Sequence, residues 1–145
     1  METTTVRLTK VLKSGKDIQI ILQENESSIT TPTLREHLGK LLLTKGLLRQ
    51  DVIRHAELDG NYANQLFSGI KTKPGRDQTL SLAFGFGLNK EESDRLLKVA
   101  GVGALYPKNK RDAVLIHSLE HGKSITETNE ALVSLGLETL SNHGK

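Results

Sequence analysis

Residues 48–69 read Leu-Arg-Gln-Asp-Val-Ile-Arg-His-Ala-Glu-Leu-Asp-Gly-Asn-Tyr-Ala-Asn-Gln-Leu-Phe-Ser-Gly, and this stretch decides the fold. Val52, Ile53 and Ala56 share one face of a helix over residues 48–56. After Glu57-Leu58, Asp59 is a good N-cap, because its carboxylate can accept an orphan backbone N–H at the start of a helix over residues 60–67. Ala63 and Leu66, with Phe67 beside them, make the inner face of that helix, and Gly69 ends it. Two short helices joined by a tight turn follow the helix-turn-helix plan, which is also the plan of an ordinary bundle corner.

Helix punctuation continues on both sides. Upstream, Thr33-Leu-Arg-Glu36 is a capping box, followed by Leu34, Leu38, Leu41 and Leu42 at helical spacing and a stop at Gly46. Downstream, the loop 70–75 leads to a helix over 76–86 carrying Leu80, Ala83 and Phe84 and closed by Gly87. Asn89-Lys-Glu-Glu92 opens a fifth helix with Leu96, Leu97 and Ala100, stopping at Gly101. A sixth helix is expected over 109–121, and Ser124-Ile-Thr-Glu127 caps a seventh that ends at Gly136. Residues 5–25 read as one or two short helices broken at Ser14-Gly15, although 17–22 could also form a strand; the polar stretch 24–32 reads as a linker. The expected organisation is all-α: an N-terminal helical extension and linker (1–31), a five-helix unit (32–103), and a C-terminal helical hairpin and tail packed on it (104–145).

Composition narrows the function. With 145 residues the chain has the size of one domain that can hold a core without staples. Cysteine is absent, which excludes disulfides, thiolate nucleophiles and the common structural zinc sites. No stretch reaches the roughly 20 apolar residues of a membrane span, and the N-terminus lacks the apolar segment of a signal peptide, so a cytoplasmic location and no membrane partner are expected. The net charge of +3 lies wholly in the first half: residues 1–75 carry 11 Lys and Arg against 8 Asp and Glu, and residues 76–145 carry 9 against 9. Aromatics at 3% disfavour a single-strand binder built on stacking platforms.

With Ala63 and Leu66 turned inward, the helix over 60–67 presents Gly60, Asn61, Asn64, Gln65 and Ser68, with Tyr62 at the edge. Asn and Gln amides donate and accept together, which suits them to adenine in the major groove, a space wide enough to admit a helix. Gly60 lets the helix N-terminus approach a phosphate, and Lys71, Lys73 and Arg76 follow on a loop where cations hold phosphate backbone. The helix contains no Lys or Arg, so bidentate guanine readout by Arg is not open to it.

Residues 33–97 resemble the XRE, or lambda-repressor-like, helix-turn-helix domain of bacterial and phage regulators. The resemblance rests on Leu47 through Gly69, with Val52, Leu58, Ala63 and Leu66 as the apolar positions, and on Pro74 before the fourth helix. A longer run is similar to small XRE-type regulators with extra helices at both ends: Leu66-Phe-Ser-Gly69, Lys73-Pro74, Arg76-Asp77, Ala83-Phe84-Gly85, Gly87-Leu88, Gly101-Val-Gly103, Leu105-Tyr-Pro-Lys-Asn109 and Arg111-Asp112. The resemblance implies duplex DNA as partner and a phosphate-holding position at Arg49, with Gln50 beside it. It places base-reading positions at Gly60, Asn61, Tyr62, Asn64 and Gln65. Where the family often has Glu in the last turn of the recognition helix, this chain has Phe67.

The expected function is therefore a DNA-binding transcriptional regulator acting as a homodimer. A protein-interaction adaptor is the alternative, favoured by the uncharged helix and the neutral second half. Leu115, Leu119, Leu132 and Leu135 are candidates for a dimer surface or for core. His117 and His121 have the spacing of a two-ligand metal pair, but no third ligand completes a pattern, and neither a metal nor a cofactor is expected. Gly85-Phe-Gly87 and Gly101-Val-Gly103 lack the spacing of nucleotide loops, and nothing points to an enzyme.

Overall fold

A computed structural model describes residues 4–15, 17–24 and 32–140, and the chain divides into two units, 1–31 and 32–145. In the first unit, α1 (Thr4–Lys13) and α2 (Ile18–Glu24) are separated at Ser14-Gly15. The alternative of a strand over 17–22 is not realised. Asp17 accepts the Gln19 N–H at 2.8 Å, and this cap starts a helix. Residues 25–31, expected as linker, and 141–145 lie outside the described residues.

Among its described residues the second unit holds seven helices and no strand: α3 (Leu34–Lys45), α4 (Arg49–Ala56), α5 (Gly60–Ser68), α6 (Arg76–Phe86), α7 (Lys90–Ala100), α8 (Lys110–Glu120) and α9 (Ile125–Ser134). The starts follow the caps. Reciprocal boxes form at Thr33/Glu36, Asn89/Glu92 and Ser124/Glu127, with side-chain and backbone bonds of 2.9–3.2 Å. One hydrophobic core runs from Leu34 to Leu140 and contains Leu115, Leu119 and Leu132, which removes these three from any dimer surface; Leu135 stays exposed.

α6 is the axis of this core. Every residue from Thr79 to Phe86 is buried, so the one-sided face of Leu80, Ala83 and Phe84 read from sequence understates it. Small side chains make all-round burial possible. A Cβ at Gly85 would lie 2.5 Å from the Val52 carbonyl oxygen and 2.9 Å from Ala56 Cβ, so glycine lets α4 settle directly onto α6. Thr79 is satisfied by donating to the Gly75 carbonyl at 2.9 Å.

The first turns of α6 and α8 are crossed. Arg76 forks onto Asp112 at 3.0 and 2.8 Å and also donates to the carbonyls of Gly103 and Ala104, both at 2.9 Å. Arg111 forks onto Asp77 at 3.0 Å through both nitrogens and donates to the carbonyls of Glu138 and Thr139 at 2.9 Å. Bidentate guanidinium–carboxylate pairs of this kind combine strength with fixed geometry. They fasten α8, the Gly103-Ala104 connector and the 138–139 segment to α6.

Candidate nucleic-acid interface

α4 and α5 are joined by three residues. Glu57 ends α4 in the left-handed region at φ 53°, and Asp59 starts α5 by accepting the Tyr62 N–H at 3.0 Å. Glu57 also accepts from the Thr126 hydroxyl at 3.1 Å, which ties this turn to α9. On α5, Ala63, Leu66 and Phe67 are buried; Gly60, Asn61, Asn64 and Ser68 are exposed and Gln65 is half-buried. Arg49 and Gln50, in the first turn of α4, are exposed beside this row. The Arg49 guanidinium carbon sits 5.2 Å from the centroid of the Phe67 ring, and its Nη1 lies 3.5 Å from Asn64 Oδ1. Phe67 is in turn anchored against Phe86, their centroids 6.1 Å apart.

Tyr62, expected at the edge of the outward face, is 6% exposed and belongs to the core. Positions 62, 63, 66 and 67 form a single buried stripe, wide enough to take in the tyrosine. Burial pushes its phenol above the ordinary value. Arg76 is likewise not a loop cation. It is the first residue of α6, its four hydrogen bonds go to Asp112, Gly103 and Ala104, and the bonded Asp112 carboxylate raises its already high pKa, against the opposing effect of burial. Both drop out of the candidate surface.

Lys71 and Lys73 remain exposed on the loop after α5. The Lys71 N–H caps α5 by donating to the Gln65 carbonyl at 3.0 Å, and its ammonium stands 5.1 Å from the Tyr62 ring centroid. Lys73 lines a cleft with Thr33, Arg35, Glu36, Ser68, Gly69 and Thr72. Arg35 carries no functional signal in the local sequence beyond its place inside the Thr33–Glu36 capping box. Its Cδ crosses the end of α5, 3.0 Å from where a Cβ of Gly69 would stand, and no local spacing links residue 35 to residue 69. Glu36 shares that cleft, its carboxyl held below the usual carboxylate range by the Thr33 N–H and hydroxyl.

His117 and His121 stack with ring centroids 4.1 Å apart, and His121 Nδ1 contacts the His117 carbonyl at 2.8 Å. Among the described residues no group of three or more His, Cys, Asp or Glu side chains could hold a metal ion, and no helix is long and apolar enough to cross a membrane. Comparison with protein-family models, curated proteins and solved structures finds no match. Chemically, the surface of α5 offers amides that can bond to base edges, bordered by cations that attract phosphate.

Proposed function

We propose that this chain is a sequence-specific duplex-DNA-binding transcriptional regulator with a lambda-repressor-like helix-turn-helix domain, α3 to α7, and α5 as its recognition helix. The observation that carries this reading is the outer face of α5: Asn61, Asn64 and the half-buried Gln65 turn outward on a short helix bordered by Arg49, Lys71 and Lys73. Amides in the row serve base edges, and the flanking cations serve the backbone on either side. Gly60 fits the same use. A Cβ there would meet nothing within 4 Å, so internal packing does not demand glycine, whereas close approach of a phosphate to the helix N-terminus does. The charge excess of the first half of the chain falls on the same partner.

One such helix reads few base pairs, so the active species is a homodimer whose two α5 helices enter successive major grooves about one DNA turn apart. Val133 and Leu135, exposed at the end of α9, are apolar positions available to a second copy. Selection of bound sequences from a random duplex pool tests the proposal. A recovered half-site repeat supports it. Failure to retain any duplex at low salt overturns it in favour of a protein-interaction adaptor, which the exposed apolar Leu48 and Ile70 at the two ends of the α4–α5 pair favour (62% and 74% exposed).

A further inference from the structure

We infer that Arg49 is a positioning residue that turns the Asn64 amide so that its NH2 group, not its carbonyl, meets the bound partner, which on the DNA-binding reading makes Asn64 a reader of guanine in preference to adenine. Guanidinium has donors and no acceptor, so an Asn64 side chain that bonds Arg49 must do so through Oδ1, and that is the atom found 3.5 Å from Arg49 Nη1. The arrangement does not depend on that contact alone. Phe67, buried in the core and braced by Phe86, holds the guanidinium 5.2 Å from its ring centroid, between the start of α4 and the second turn of α5. Planarity of the amide then fixes the rest. With Oδ1 toward Arg49, Nδ2 and its two hydrogens lie on the other side of the amide, on an exposed residue three positions from the exposed Asn61.

An isolated Asn pairs with adenine by accepting from N6–H2 while donating to N7. The Arg49 contact takes one of the two lone-pair directions of the Asn64 oxygen and fixes the orientation in which the amide meets a base, at the expense of this pairing. Guanine presents two neighbouring acceptors, O6 and N7, and no donor at that edge of the major groove, which matches an outward NH2. Arg49 keeps further N–H groups for a phosphate while it holds the amide, so backbone contact and base choice are linked through one side chain. Phe67 thereby acquires a use: an uncharged ring at this position seats Arg49 without capturing it in an ion pair.

The test is selection from a random duplex pool with wild type, Asn64→Ala, Arg49→Ala and Arg49→Lys, together with NMR of the Asn64 side-chain amide in the free protein. Asn64→Ala identifies the base position that Asn64 reads, since preference there collapses. In wild type that position is guanine; in Arg49→Ala it moves to adenine, a change of about tenfold in the guanine-to-adenine ratio, on the scale of one bidentate contact. Arg49→Lys, also a cation with donors and no acceptor but without the planar group seated on Phe67, lies between wild type and Arg49→Ala in base choice while keeping more of the affinity. In the free protein both Arg49 variants shift the Asn64 amide resonances. Adenine at the Asn64-dependent position in wild type, or an unchanged preference in Arg49→Ala, overturns this inference and leaves DNA binding standing. An Asn64 amide that ignores Arg49 substitution overturns it without reference to DNA. No retained duplex with wild type overturns the DNA reading and the base preference with it.

Discussion

Neutralising the loop after α5 should change how binding responds to salt by an amount that can be counted from the surface. Arg49, Lys71 and Lys73 are the exposed cations assigned to the phosphate backbone, and Arg76 is held by Asp112 and two carbonyls. Three phosphate contacts per protomer correspond to a log–log slope of about −2.7, hence roughly a fortyfold loss of affinity between about 50 and about 200 mM salt. Lys71→Ala/Lys73→Ala leaves one contact, a slope of about −0.9, and only a three- to fourfold loss over the same range. A dimer doubles each slope. Fluorescence anisotropy on one labelled duplex across a salt series reads both values directly. Arg76→Gln, checked for helicity by circular dichroism, should leave the slope at the wild-type value. An unchanged slope in the double variant, or a slope lowered by Arg76→Gln as much as by Lys73→Ala, would refute the assignment of phosphate contacts to the loop cations.

Three further substitutions concern the fold that presents this surface. Asp112→Ala leaves Arg76 without its carboxylate in a largely enclosed site, and urea denaturation should show a loss of about 3 kcal/mol, or about 10 °C in thermal midpoint. Burial by itself would raise the Asp112 carboxyl, but the fork from Arg76, the Tyr106 N–H and the charges of Arg76 and Arg111 outweigh it and hold the group below the ordinary value. A carboxyl depressed by folding adds stability above its unfolded pKa and loses it as pH falls through the folded one, so the gap between wild type and Asp112→Ala should narrow below about pH 4. Gly85→Ala puts a methyl into the Val52 carbonyl and should destabilise by about 1–2 kcal/mol despite the better helix propensity of alanine. Gly39→Ala in α3, where a Cβ meets nothing within 4 Å, should instead stabilise by about 0.5–1 kcal/mol; equal effects at the two positions would deny the close approach of α4 to α6.

Local chemistry made much of this molecule legible in advance. Thr33/Glu36, Asn89/Glu92 and Ser124/Glu127 close their boxes, and Gly46, Gly69, Gly87 and Gly101 take the left-handed helix ends, because each such contact spans only a few residues. The outward placement of Asn61 and Asn64 followed from the period of Ala63 and Leu66. What escaped was non-local. Arg76 and Asp112 are separated by 36 positions, Asp77 and Arg111 by 34, and nothing near residue 76 says that its cation is already engaged. Tyr62 escaped for another reason. A stripe defined by two residues, Ala63 and Leu66, leaves its own width undetermined, and a tyrosine at its margin can go either way until its neighbours are placed. The contact of Arg49 with Asn64 and Phe67 crosses two helices and left no periodic trace.

Arg76-Asp77 and Arg111-Asp112 are the same dipeptide written twice, and each supplies the opposite charge that the other needs. The joint is therefore electrically neutral and self-complementary, like a plug that is also its own socket. Neutralising any one of the four side chains leaves its partner's charge without its counter-ion. Reversing both dipeptides to Asp-Arg keeps every pairing of opposite sign. The last two helices are thus keyed onto the helical body by a charge code at the opening turn of α6, added to the apolar contacts that Leu115, Leu119, Ile125 and Leu132 make in the shared core.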